Sequence, residues 1–284
     1  MTLDEIISNA LAEDIGDGDH TTLATVPGST SGKARLLVKD DGILCGVDIA
    51  VHIFHKVDPS LAVTVYIPDG AAISKGDVVF EVSGNQGSIL KSERLVLNFM
   101  QRLSGIATAT ARAVKQLDGL NTKILDTRKT TPLLRQLEKY AVRTGGGVNH
   151  RMGLYDMIMI KDNHVDFAGG ITASIDAVGK YLERTGKKLK IEIEVRNFDE
   201  LQQVLDHGKI DRIMLDNFSV KEMREAVQRI GGRFETEASG GITEETLRAY
   251  GETGVDFISV GALTHRIKSL DLSLKAVNNN TANS

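Results

Sequence analysis

From residue 123 onward, short apolar runs alternate with helical stretches, and this alternation limits the fold more than any other feature of the sequence. The candidate strands are Lys123–Thr127, Met157–Lys161, Lys190–Val195, Arg212–Leu215, Phe234–Ala238 and Phe257–Val260. The helical stretches between them are Pro132–Arg143, Ser174–Arg184, Phe198–His207, Lys221–Ile230 and Glu244–Thr253. Strands joined through helices run parallel, with right-handed crossovers. An α/β barrel and an open doubly wound sheet both satisfy that rule.

The first hundred residues follow another pattern. Thr2 and Glu5 have the spacing of a capping box, which predicts a helix to about Glu13, followed by a polar turn over residues 14–21. Between Gly32 and Ser83 the β-branched runs Ala34–Lys39, Leu61–Ile67 and Val78–Val82, separated by Gly and Asp, predict a small β-rich domain. Residues 69–84 resemble the hairpin of biotinyl or lipoyl carriers, with Lys75 at the turn. The neighbours of Lys75 are not those of a modified lysine, so a plain hairpin is the better expectation. Residues 91–117 carry Leu95, Val96, Phe99, Met100 and Leu103 in helical spacing. The tail Val277–Ser284 is expected to be disordered.

Charge and cysteine content exclude several functions. With 34 basic and 38 acidic side chains, net charge −4, there is no global field to attract nucleic acid or a membrane. The single cysteine, Cys45, permits no internal disulfide and no cysteine-based metal site, which fits a reducing cytoplasm. Met1–Asp19 has no basic stretch of the kind that opens a signal peptide, and apolar runs stay short of a membrane span.

Chemistry is concentrated where the strands end. The first is followed by Asp126-Thr127-Arg128-Lys129-Thr130, the second by Lys161-Asp162-Asn163-His164; the third holds Glu192, Glu194 and Arg196. The fourth leads into Asp216-Asn217, the fifth into Ser239-Gly240-Gly241, and the sixth into Gly261 to His265. In parallel α/β folds the carboxyl edge of the strands carries the active site. Ser-Gly-Gly before a helix, with Gly261 after the next strand, predicts a phosphate held by backbone N–H groups. Residues 125–165 contain seven Lys/Arg against four Asp/Glu. Arg135, Lys139 and Arg143 fall on a helix and suit a solvated face, but Lys161 directly follows Met157–Ile160 and calls for an anionic partner. Glu194 and Asp216 face the same mouth, either as ion-pair partners of these cations or as holders of ribose hydroxyls or a metal carried by phosphates. Of the histidines, His150, His164 and His265 fall in strand-end loops. There is no His-Glu-x-x-His, Gly-x-Ser-x-Gly or Walker A motif.

These segments resemble the quinolinate phosphoribosyltransferase family (nicotinate-nucleotide pyrophosphorylase, carboxylating). The resemblance is carried by Asp126–Pro132, Glu138–Arg143, Gly145–Arg151, Ile160–His164, Ser92–Arg94, Arg102–Thr108, Glu192–Val195, Leu215–Asn217, Ala238–Gly241 and Ser259–His265, and extends to the acidic turn at Glu13–Thr21. Leu133, where the family often has glycine, and Thr144, often cysteine, depart from it.

The resemblance implies an N-terminal α/β sandwich over residues 1–112, with return of 270–284, and an incomplete α/β barrel with parallel strands over 113–269. It implies a homodimer, with a hexamer as the larger alternative, in which the N-terminal domain of one subunit caps the barrel of the other. It implies magnesium bound with phosphoribosyl pyrophosphate. Arg128, His150, Arg151 and Lys161 would line the quinolinate pocket, with Arg94 reaching in from the partner subunit. Lys129 and Lys161 would neutralise pyrophosphate. Glu194 and Asp216 would hold ribose and magnesium; Ser239, Gly240, Gly241, Gly261 and His265 would hold the 5′-phosphate. Lys129, Lys161, Glu194 and Asp216 are the expected catalytic set. Two other readings of the residues remain: a barrel isomerase or lyase acting on a sugar phosphate, and a metabolite-binding protein without catalysis. A molybdenum-transport-associated relative shares much of the pattern.

Overall fold

The structure, a computed structural model, describes residues 1–28 and 30–277. In chain order it runs α1 (Leu3–Ile15), α2 (His20–Thr25), β1 (Ser31–Val38), β2 (Gly42–Ile43), α3 (Val47–Val57), β3 (Ala62–Val65), β4 (Ala72–Ile73), β5 (Val78–Asn85) and α4 (Gln86–Gln116). It continues with β6 (Lys123–Leu125), α5 (Arg135–Thr144), β7 (Ile158–Ile160), α6 (Asp162–Ala168), α7 (Ile171–Thr185), β8 (Ile191–Val195) and α8 (Phe198–His207). The remainder is β9 (Arg212–Asp216), α9 (Val220–Ile230), β10 (Glu235–Ser239), α10 (Leu247–Gly251), β11 (Phe257–Ser259), α11 (Ala262–His265) and β12 (Leu272–Ala276). The expected tail beyond Val277 lies outside the described residues. Among the described residues, no helix is long and apolar enough to cross a membrane.

The chain divides into two compact units. The first takes Met1–Ala111, Thr131–Gly146 and the chain from Arg266 on; the second takes Arg112–Thr130 and Gly147–His265.

The first unit is built on an antiparallel sheet in the order β12-β1-β5-β3. β1 alternates: Ala34, Leu36 and Val38 are buried, while Lys33 and Arg35 on the other face both pair with Glu81 of β5 at 2.9 Å. Phe80 of β5 meets Phe54 of α3 edge to face at 5.7 Å, both fully buried. Each such ring removed from water contributes about 1.5–3 kcal/mol. Thr2 and Glu5 form the expected capping box, but α1 continues to Ile15. The expected polar turn contains Asp19, which caps the short α2 by accepting from Thr22 N–H at 3.0 Å. No hairpin forms around Lys75: β4 pairs with β2, and β5 pairs with β1 and β3. α5 starts at Arg135 rather than Pro132, because Leu133 takes a left-handed φ of 69° that no α-helix contains. Glycine meets that angle without strain, which gives a reason for glycine where the chain has Leu133.

The second unit decides between the two parallel topologies. Its six strands lie in the order β6-β11-β10-β9-β8-β7, all parallel. Each strand from β7 to β11 adds beside the one before it, and β11 then pairs with β6. There is no reversal of direction as in a doubly wound sheet, so this is a barrel. It is incomplete between β6 and β7. There Val148 forms a single parallel bridge to Leu125, donating to Ile124 O at 2.8 Å while Asp126 N–H donates to Val148 O at 3.2 Å. Helices α6 and α10 depart from expectation. Asp162–Ala168 is helical where the sequence suggests a loop, and the helix expected over Glu244–Thr253 is only Leu247–Gly251.

Candidate active site

Side chains alternate along a strand, so in a barrel every second residue points inward. On β8 the buried apolar set is Ile193 and Val195, and the alternate set is Glu192 and Glu194. On β9 the inward set is Arg212, Met214 and Asp216; on β10 it is Glu235, Glu237 and Ser239. Met214, Glu237, Ser239, Ser259, Met159 and Lys161 all line one cavity of about 350 Å³. Its mouth is edged by Thr127, Arg128 and Lys129 after β6 and by His150 and Arg151 from the loop beside β6.

That loop is fixed from below. Asp126 is fully buried and accepts the His150 N–H at 2.8 Å and the Asn149 side-chain amide. With the Val148 bridge, this pins residues 148–150 along β6 and delivers Arg151 to the cavity wall. Burial, and then the like charge of Arg128, push the Arg151 guanidinium below its ordinary value. An anion between the two would relieve both effects.

Lys161 follows β7 and reaches across to β8, where its Nζ lies 3.1 Å from Glu194 Oε2. The anionic partner expected for Lys161 is therefore a carboxylate of the chain itself. Glu194 is buried and Asp216 half-buried, and Asp216 stands in register with Ser239 of β10. Burial pushes the Asp216 carboxyl above its ordinary range, opposed by Lys161.

The phosphate corner differs from expectation. Gly240 and Gly241 take φ of 92° and 61°, and no helix begins until Leu247, so a helix N-terminus does not follow Ser-Gly-Gly. The left-handed pair makes a turn instead, and turns of this kind aim successive N–H groups at one point. A Cβ at Gly240 would collide with Asn217, itself at φ 58°. On the other side, a Cβ at Gly261 would meet Lys129 Cδ at 3.0 Å and His265 Nε2 at 3.4 Å, so Gly261, Lys129 and His265 form one corner. Thr264 Oγ1 donates to Lys129 O at 2.8 Å and ties that corner together. His164 acts locally, its Nδ1 accepting from Lys161 N–H at 2.9 Å to cap α6. Arg94 is exposed on α4, in the first unit, and is not among the residues that line the cavity.

Sequence reasoning assigns no role to Glu192, Glu237 or Arg212, which gather around His150. Glu192 and Glu237 are fully buried. The His150 Nε2 lies 2.9 Å from Glu192 Oε2 and 3.3 Å from Glu237 Oε2. Arg212 reaches Glu237 Oε2 at 3.2 Å and Glu235 Oε2 at 2.9 Å, with its guanidinium 4.2 Å over the Phe257 ring. Desolvation opposes a charged His150, but the two carboxylates outweigh it and push the ring up to about 9. Against this, the Arg151 N–H donates to His150 Nδ1 at 2.6 Å, which requires that nitrogen to be bare. A main-chain N–H can only donate, so Nδ1 must accept there. We therefore place the ring proton on Nε2, facing the acids. Burial, and then the like charge of Glu237, push the Glu192 carboxyl above its ordinary range. The signal available in the sequence is the charge at every second position of strands that, covered on both faces, should read as apolar throughout.

The comparisons with known proteins agree with this architecture. Residues 19–104 match the N-terminal domain of quinolinate phosphoribosyl transferase, and residues 106–275 match its C-terminal domain. Quinolinate phosphoribosyltransferase (decarboxylating) 2b, mitochondrial, of Nicotiana tabacum is 47% identical over 288 residues, covering 96% of this chain and 82% of that protein. The probable nicotinate-nucleotide pyrophosphorylase (carboxylating) of Bacillus subtilis is 44% identical, covering 96% and 93%. The solved nicotinate-nucleotide pyrophosphorylase of Francisella tularensis superposes with a TM-score of 0.91 at 41% identity, covering 98% of each chain.

Proposed function

The chain belongs to the quinolinate phosphoribosyltransferase family, and we propose that it carries out the reaction of that name. Phosphoribosyl pyrophosphate and quinolinate give nicotinate mononucleotide, pyrophosphate and CO₂, a step of NAD biosynthesis. The observation that carries this reading is the meeting of Arg128, Lys129, Arg151 and Lys161 around one cavity at the carboxyl ends of the barrel strands. Quinolinate is a dicarboxylate, and each charge-assisted contact is worth about 1.5–3 kcal/mol.

Arg128, Arg151 and Lys161 take the carboxylates, with His150 in the pocket wall. Lys129 and Lys161 neutralise the pyrophosphate, while Ser239, Gly240, Gly241, Gly261 and His265 hold the 5′-phosphate. The pyridine nitrogen attacks ribose C1 as pyrophosphate leaves. Glu194 and Asp216 stabilise the cationic ribose electrostatically. The ring nitrogen, now cationic, stabilises the electron pair left on the adjacent ring carbon when its carboxylate departs as CO₂, and that carbon then takes up a proton in the carboxylate's place.

Glu194 and Asp216 offer hard oxygen donors on adjacent strands, a set that suits magnesium arriving with phosphate oxygens. When bound, the ion would neutralise the leaving pyrophosphate. The working unit in this proposal is a homodimer, with Arg94 supplied in trans; its exposure on α4 supports that assignment. The buried Cys45 thiol suits the cytoplasm as compartment. The test is quinolinate-dependent release of pyrophosphate and CO₂ from phosphoribosyl pyrophosphate. Absence of either product overturns the proposal.

A further inference from the structure

Glu192, Glu237 and Arg212 have no part in the reaction as written, yet they fill the barrel directly beneath the pocket. Aliphatic side chains normally occupy that place. Buried carboxylates are expensive to desolvate, so an ionic cluster is a poor way to stabilise a fold. What the cluster does have is a common target. Glu192 Oε2 and Glu237 Oε2 approach one nitrogen of His150, at 2.9 and 3.3 Å. Arg212 holds Glu237 from behind through the same oxygen, at 3.2 Å. The other imidazole nitrogen receives the Arg151 N–H at 2.6 Å, and Arg151 Nη1 donates to Met157 O at 3.2 Å. One ring nitrogen thus faces two carboxylates, and the other receives a main-chain N–H.

We infer that Glu192 and Glu237, the latter backed by Arg212, are positioning residues. They hold the His150 ring with its proton on Nε2, so that Nδ1 fixes the Arg151 main chain and aims the Arg151 guanidinium at a substrate carboxylate. His150 then serves the pocket through Arg151 and not by its own contact with quinolinate. A chain of this kind can transmit geometry, because His150, Glu192, Glu237 and Arg212 are buried and packed within ion-pair distance, while Arg151 is half-buried at the cavity wall.

The inference rests on the proposed reaction, so its test is separable from that reading. Quinolinate and phosphoribosyl pyrophosphate affinities are measured by calorimetry on the full chain, and the His150 imidazole nitrogens are observed by ¹⁵N NMR, assigned by their loss in His150→Gln. If the wild type does not bind quinolinate, the reaction reading fails, while the NMR arm still judges the cluster. The wild type should show a single tautomer, protonated at Nε2. Glu237→Ala should weaken quinolinate by about 10–100-fold, the range for lost outer-shell partners. Phosphoribosyl pyrophosphate affinity should change less than about threefold, and the single-tautomer signature should be lost. Glu237→Gln keeps an acceptor at the Oε2 position and should recover most of the affinity. Equal weakening of both substrates, unchanged quinolinate affinity, or no rescue by Gln overturns the inference. Should Glu237→Ala not fold, the wild-type spectrum decides: a proton on Nδ1 overturns it.

Discussion

Lys161 Nζ stands 3.1 Å from Glu194 Oε2, and the two side chains differ in burial: 46% of Lys161 is exposed against 8% of Glu194. The acid is thus committed to the interior while the base keeps one side open to the cavity. Lys161→Ala removes the proposed substrate contact and also takes from the buried Glu194 its ion-pair partner. We expect kcat/KM, read from pyrophosphate release, to fall by at least about 100-fold. A fall of less than about tenfold would remove Lys161 from the catalytic set.

Arg94 is exposed on α4, outside the cavity lining of its own chain. Arg94→Ala and Lys161→Ala homodimers are each expected to be nearly inactive. Mixed in equal amounts and re-annealed, they should regain about a quarter of the wild-type activity, since half the dimers carry one intact site of two. Subunit exchange without recovery would argue against a contribution in trans.

Gly240 sits at φ 92°, with Asn217 where a Cβ would go. Gly240→Ala should raise the KM for phosphoribosyl pyrophosphate far more than that for quinolinate. It should also lower unfolding stability by more than about 1 kcal/mol, because the loop must move to admit the methyl group. Steady-state kinetics against each substrate, with thermal melting, separate the two effects.

Nicotinate lacks the second carboxylate that this pocket is proposed to bind. Seating it would leave cations buried without a partner, so discrimination against it should reach about 10⁴-fold in kcat/KM. Comparable turnover of the two acids would contradict the assignment of Arg128, Arg151 and Lys161 to the carboxylates.

Cys45 is fully buried, and burial, followed by the charge of Asp69, pushes its thiol up to about 12. A raised value means less thiolate at any pH below it, so native protein at pH 8 should resist iodoacetamide. Labelling should appear only as denaturant unfolds the chain, which makes this single cysteine a reporter of opening. Fast stoichiometric labelling of the native protein would contradict the burial.

The parallel strands and the charges that end them are legible in the sequence, because periodicity and strand-end placement are local signals. The choice between barrel and doubly wound sheet is not. It depends on β11 pairing with β6, between residues 123–125 and 257–259, which no local pattern encodes. Helix α3 escapes a reading by pattern although Val47, Ala50, Ile53 and Phe54 are spaced for one buried face, because β-branched runs dominate on either side of it. The turn at Ser239-Gly240-Gly241 is legible only in part: the break after the strand can be read from the sequence, but two left-handed glycines delay the helix. The buried His150, Glu192 and Glu237 join three separate segments, and only the closed geometry brings them together.

The seam between β6 and β7 has a consequence for what holds the pocket wall. Five of the ring's joints are ladders of paired backbone, where adding or removing one residue would turn a whole strand inside out. The joint at Val148 is a single bridge. No ladder sets the register of that stretch; the buried Asp126 carboxylate holds it instead, and the same stretch carries Arg151 to the cavity wall. The barrel therefore secures one joint, beside its cavity wall, through a single buried side chain, so a change at Asp126 would loosen that wall while the five ladders stayed paired.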